Sequence, residues 1–179
     1  MKEENSGSGQ IEKLAAKLRS NSEDTVLDTL DIIREEGNAT ILPAVLDLLA
    51  DTDNPEIEAG IIQLLFDLQD EDAVPYLVSA LNNQRLKYYY SFLISAFWQS
   101  ALDGSDHLTL FITKAVKGDY MVCLEALTVI ENFDTTFENE EIQHCASMLM
   151  EALDREKAGE KKELLKSMLE VVEQLSTGE

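Results

Sequence analysis

A pattern of apolar residues that recurs along nearly the whole chain limits the fold more than any other feature of this sequence. Five segments place apolar side chains at relative positions 0, 3, 4 and 7: Ile11-Leu14-Ala15-Leu18, Leu42-Val45-Leu46-Leu49, Val74-Leu77-Val78-Leu81, Leu108-Phe111-Ile112-Ala115 and Ile142-Cys145-Ala146-Leu149. Residues three and four apart share one face of an α-helix, so each segment reads as a buried helical stripe. The stripes start 31, 32, 34 and 34 residues apart. A near-constant period of this size marks a repeat architecture, in which a unit buries its apolar face only against its neighbours.

Further helical spacing lies between the stripes, over approximately 22–36, 54–69, 85–101 and 119–133, in sets such as Leu27-Leu30-Ile33, Ile61-Leu64-Leu68 and Leu86-Tyr89-Leu93-Phe97. The unit is therefore a helical hairpin. Thr40, Asp72 and Asp106 stand two residues before three of the stripes, where a short oxygen-bearing side chain can accept a hydrogen bond from a first-turn N–H. Pro43 and Pro75 follow within the first turn, where a missing donor costs little. Ser22 and Asn54 are placed to cap the preceding helices, with Pro55 at the favoured first helical position. No window shows sustained strand alternation. A last helix near 158–176, with Leu165-Met168-Leu169-Val172 on one face and Glu160-Lys161-Lys162-Glu163 leading it, reads as a terminal cap with a polar outer side. The expectation is an all-α chain of about ten helices in four to five repeats, one domain over residues 10–179 behind a disordered tail over residues 1–9.

Composition removes several classes of function. The 179 residues are 45% hydrophobic, enough for a continuous core. Fourteen Lys and Arg against 35 Asp and Glu give a formal net charge of −21, which argues against nucleic acid or an anionic membrane as the main partner. The N-terminal MKEENSGSGQ has no apolar signal core, and no apolar stretch approaches the roughly 18 residues that crossing a bilayer needs, so a cytoplasmic location is expected. Cys123 and Cys145 sit in helical pattern without metal-type spacing and read as buried thiols. His107 and His144 are 37 residues apart and belong to no paired metal motif. There is no nucleophile elbow, phosphate loop or dinucleotide fingerprint, so no catalytic residue, cofactor or metal is expected.

The run Leu68-Gln69-Asp70-Glu71-Asp72-Ala73-Val74-Pro75-Tyr76-Leu77-Val78-Ser79-Ala80-Leu81-Asn82 resembles the second helix of a HEAT repeat, particularly the HEAT-like type also found in phycobilisome lyases, and Thr40 to Leu49 echoes it. The match is best over roughly residues 22–82. Later units lack the proline and have longer turns, and the inter-repeat Asp and Arg pattern common in the family is incomplete. The resemblance implies an armadillo-type, right-handed α-α superhelix that binds other proteins along its concave surface, and it carries over no catalytic residue.

In such a repeat the second helices line the concave side, which leaves positions 2, 5 and 6 of each stripe facing it. Position 2 reads Lys13, Ala44, Tyr76, Leu110 and His144; position 5 reads Ala16, Asp47, Ser79, Thr113 and Ser147; position 6 reads Lys17, Leu48, Ala80, Lys114 and Met148. One of these fifteen is acidic, in a chain with 35 acids. The strip is the candidate groove for a protein partner, with Leu48, Tyr76, Leu110 and Met148 as apolar anchors beside Lys114 and His144. Ten of the twelve aromatic residues fall between residues 61 and 120, a third whose net charge is −3 against −9 in each flanking third. Within 85–101, a uniform helix would turn Leu86, Tyr89, Tyr90, Leu93, Phe97 and Ser100 inward and Tyr88, Phe92, Ser95 and Gln99 outward, which makes Tyr88 and Phe92 a candidate recognition patch. Two other readings stand beside a general interaction scaffold: an acidic inhibitor or immunity-type protein covering a basic partner, and a regulatory or lyase-like subunit. Partner identity and oligomeric state are not legible.

Overall fold

The structure, a computed structural model, describes residues 4–36 and 38–175, with side chains from Gly9 onward. Ten α-helices are present among the described residues: α1 (Glu4–Leu18), α2 (Glu23–Glu36), α3 (Leu42–Asp51), α4 (Pro55–Phe66), α5 (Val74–Leu81), α6 (Tyr90–Gln99), α7 (Leu108–Lys117), α8 (Tyr120–Glu131), α9 (Asn139–Arg155) and α10 (Glu160–Gln174). The fold is all-α and built of helical repeats. The backbone is already helical from Glu4, within the stretch expected as a 1–9 tail; Met1 to Glu3 lie outside the described residues.

The described residues gather into two compact units, residues 1–88 with 99–102, and residues 89–98 with 103–179. In the first unit α2 packs on α4 in one layer, while α3 packs on both α1 and α5 in the other. The stripes supply the seam between layers: Leu42, Val45, Leu46 and Leu49 are all buried, as are Leu77 and Leu81, against Val26, Leu30, Ile57, Ile61 and Leu64. In the second unit α7 packs on α8 and α9, and α10 closes against α8 and α9. Leu108, Phe111, Ile112, Ala115, Ile142, Cys145, Ala146 and Leu149 are buried there, and Phe97 meets Phe111 edge to face at 5.1 Å.

The caps differ from the expectation by one turn. Thr40, Asp72 and Asp106 are the central residues of short 3-10 helices, Ala39–Ile41, Glu71–Ala73 and Ser105–His107, each inserted before a second helix. The capping oxygens therefore sit two or three residues earlier. Asn38 Oδ1 accepts from Thr40 N at 2.9 Å, Asp70 Oδ1 from Asp72 N at 3.0 Å, and Asp103 Oδ1 from Ser105 N at 2.9 Å. The Ser105 backbone bond also lowers the Asp103 pKa. Asn54 caps α4 as expected, accepting from Glu56 N and Ile57 N, with Pro55 opening the helix.

Two lysines at the start of α10 turn inward rather than forming a polar outer side. Lys161 Nζ donates to Val116 O near the end of α7, and Lys162 Nζ donates to Leu153 O and Glu156 O at the end of α9. They supply donors to carbonyls that a helix C-terminus leaves unpaired.

Candidate protein-binding surface

The strip residues are presented by short helices whose stripes fix their rotation. Burying 0, 3, 4 and 7 leaves 2, 5 and 6 on the outer edge of the same helix. In the first unit Lys13, Ala16, Lys17, Asp47 and Ser79 are exposed, Ala44, Leu48 and Tyr76 are half-buried, and Ala80 is buried. In the second unit His144 and Ser147 are exposed, and Leu110, Thr113, Lys114 and Met148 are half-buried. Fourteen of the fifteen thus keep some contact with solvent.

Between α3 and α5 the first unit forms a cleft of about 170 Å³, lined by Pro43, Leu46, Asp47, Tyr76, Ser79, Ala80, Asn83 and Leu86. Four of these eight are strip positions; Leu48 lies on α3 outside the lining. Asp47, the acid of the strip, does not stand alone. Arg85 donates to Asp47 Oδ1 at 3.2 Å and to Asp51 Oδ1 at 2.6 Å, so one guanidinium spans two carboxylates a turn apart on α3. The Asp51 hydrogen bond is the main cause of a raised Arg85 pKa. Sequence reasoning missed Arg85, although residues 35–84 contain no Lys or Arg and make it conspicuous.

In the second unit Lys114 holds its ammonium 4.3 Å from the centre of the Tyr90 ring. Burial, with a smaller contribution from Lys117, lowers the Lys114 pKa; burial also raises that of Tyr90. Leu110, His144 and Met148 sit on α7 and α9, which pack together. The half-buried cation is thus held against an aromatic face.

The aromatic segment departs from the uniform helix expected over 85–101. Gln84–Tyr89 is a 3-10 helix and α6 begins at Tyr90, which changes the rotation per residue part-way along. Tyr88 is 79% exposed with Lys87 over its ring, and Phe92 is 38% exposed, in line with an outward placement. Ser95, expected outward, is buried and donates to Phe92 O at 3.1 Å. Trp98 is 38% exposed, and its indole N–H donates to Glu125 Oε2 at 2.8 Å.

Cys123 and Cys145 are free and buried, and burial pushes the Cys123 thiol up to about 11 and raises Cys145 as well. Such thiols are protonated at neutral pH and poor nucleophiles. Among the described residues no group of three or more His, Cys, Asp and Glu side chains is placed to hold a metal ion, and no helix is long and apolar enough to cross a membrane.

The sequence matches no family model and no curated protein. Among solved structures it is similar to a designed armadillo repeat protein, with 14% identity over 95% of this chain and 85% of that chain and a TM-score of 0.42. The helical-repeat architecture therefore stands on the helices and their packing described above.

Proposed function

We propose that this protein is a non-catalytic interaction module of HEAT-like repeats, forming one domain over residues 10–179 and acting in the cytoplasm. It binds a partner protein through the acid-poor edges of α3, α5, α7 and α9. Leu48, Tyr76, Leu110 and Met148 are the apolar anchors, Lys114 and His144 the polar ones, and Tyr88 with Phe92 extends the contact. One observation carries the reading: in a chain of charge −21, fourteen of fifteen strip positions lack an acid and fourteen of fifteen remain open to solvent, while the single acid is held by Arg85. Depletion of charge with aromatic enrichment is the compositional signal of an interface core. The stripe period, continuous from Ile11 to Leu149, supports the single-domain assignment.

Affinity capture from native lysate at low and moderate salt, with the parent protein and the variants Tyr76→Glu and Leu110→Glu, tests the proposal. The expected result is a partner retained by the parent at moderate salt and lost by both variants, each with an unchanged circular dichroism spectrum. Unfolding of both variants, or capture equal to that of the parent, overturns it.

A further inference from the structure

The bases of this acidic chain are used differently on and off the strip. Off it, Arg34, Arg85, Arg155, Lys161 and Lys166 are each paired with a carboxylate. On it stand Lys13, Lys17, Lys114 and His144, and among the described residues none of these four side chains has a hydrogen-bonded or ionic partner.

The second unit concentrates this pattern at the end of α7. Lys114 and Lys117 lie three residues apart on the open side of the helix, and α7 carries no acid. Lys114 rests on the Tyr90 ring, and the charge of Lys117 adds to the burial that lowers its pKa, so the two ammonium groups are close enough to repel. Neither is spent on the helix end, because Gly118 N already donates to Lys114 O and Lys161 Nζ to Val116 O. Nor does a nearby carboxylate answer them. Asp119 caps α8 through Val122 N, Glu151 on α9 is held by Arg155, and Glu141 lies beside Thr109 at the opposite end of α7. Next to these charges the face is apolar, with Leu110 on α7 and Met148 on the adjoining α9 both half-buried.

We infer that this part of the strip takes an acidic and apolar segment of the partner protein, which rests on the strip being a docking surface and names what docks there. A carboxylate of the segment bridges Lys114 and Lys117, while an aliphatic side chain beside it lies on Leu110 and Met148. Charge complementarity selects the occupant: a basic segment would meet two like charges, and a neutral one would leave them unanswered. A carboxylate suits the pair better than a phosphate, whose three acceptor oxygens call for backbone N–H groups or an arginine fork. Here α7 turns its carbonyl end, and the set holds no guanidinium. The other acids of the chain do not forbid the contact, because salt at about 0.15 M screens charges beyond about 8 Å far more than it screens a direct, half-buried pair.

The test is titration of the full chain, at about 0.15 M salt, with two fluorescent peptides that differ only in charge, one of leucine and glutamate and one of leucine and glutamine. The parent is expected to bind the glutamate peptide about fivefold more tightly, as two partly exposed pairs allow. That preference is expected to vanish in the double variant Lys114→Gln, Lys117→Gln and to remain in Lys114→Arg, Lys117→Arg. Lys157→Gln, Lys166→Gln alters the total charge equally away from the strip and is expected to change affinity for the glutamate peptide less than about twofold. Leu110→Glu is expected to remove binding of both peptides. Equal binding of the two peptides by the parent, no binding of either, or equal losses from the two glutamine double variants overturns the inference. Where the peptides bind equally and Leu110→Glu abolishes both, only the charge assignment falls. Where Leu110→Glu folds like the parent and leaves both bound, the strip reading falls with it.

Discussion

A methyl group added at Gly118 should be the most costly small change in the second unit. Gly118 ends α7 with its N–H bonded to Lys114 O at 2.7 Å, and its φ and ψ of −82° and −178° are open to any residue, so backbone strain contributes nothing. Space decides. A Cβ there would lie 2.5 Å from Val122 Cγ1, 2.6 Å from Val122 Cβ and 2.8 Å from Lys114 O. Carbon atoms rest about 3.5–4.0 Å apart, so relief needs a retreat of about 1 Å. The Val122 Cβ is fixed to the backbone of α8 and cannot escape by changing rotamer. The whole first turn of α8 would have to withdraw, unseating Val122, Cys123 and Ala126, all buried. Overpacking of this kind costs about 3 kcal/mol, a large part of the roughly 5–15 kcal/mol that a domain has. Gly60→Ala is the matched control. Its Cβ would meet only the flexible ends of Leu30 and Leu27, at 3.3 and 3.6 Å, inside α4, where replacing glycine gains up to about 1 kcal/mol of helix propensity. Urea unfolding followed by far-ultraviolet circular dichroism should therefore move the two variants in opposite directions. A Gly118→Ala protein within about 0.5 kcal/mol of the parent, the range of ordinary surface changes, would refute the reasoning.

Three further outcomes are expected. Ala101 follows α6 with φ of 53°, a left-handed conformation that L-residues resist, so Ala101→Gly should raise stability by about 0.5–1 kcal/mol in the same urea assay. Because burial raises the Cys123 thiol from near 9 to about 11, its contribution to stability is complete below the unfolded-state value and falls as pH rises from about 9 towards 11; the loss should approach about 1.4 kcal/mol per pH unit and become shallower in Cys123→Ala, measured by unfolding across that range. Lys162→Met removes two charge-assisted bonds to the end of α9 and should cost about 1.5–3 kcal/mol, with limited proteolysis cutting first near α10.

The helices were legible because their stripes are long and their period regular. The stripes begin at Leu42, Val74 and Leu108, and these are the first residues of α3, α5 and α7, one residue beyond the starts that caps at Thr40, Asp72 and Asp106 imply. What escaped was local. A 3-10 turn has no apolar signature over three residues, so Thr40, Asp72 and Asp106 read as caps, while Asn38 and Asp70 do the capping and Asp103 accepts from Ser105 N from one residue before the Gly104 cap. Ser95 was misplaced for a different reason: helix phase sets the direction of a side chain but not how much of the helix its neighbours cover, and on α6 they cover Ser95 while leaving Phe92 half open. The strip was visible once the stripes set the rotation. Arg85 was not, because its partners Asp47 and Asp51 lie 38 and 34 residues away and only the stacking of α3 against the segment after α5 brings them together.

The charge of −21 gains a layer-by-layer meaning in the first unit. Helices α3 and α5 carry two acids, Asp47 and Asp51, both engaged by Arg85, while α2 and α4 carry eight acids against Arg34. The layers are packed helices, whose axes lie about 8–10 Å apart. That separation is about one Debye length at physiological ionic strength, so salt reduces the field of the acidic layer at the strip without removing it. Below about 0.01 M salt the screening length grows to about 30 Å and both faces feel the same negative field. An apolar or aromatic contact at the proposed strip of α3 and α5 should hold or tighten as salt rises and the negative field of the neighbouring layer is screened. Asp47 and Asp51, the acids of α3 nearest the proposed strip, are both bound by Arg85, so pairing as well as composition lowers the negative charge there.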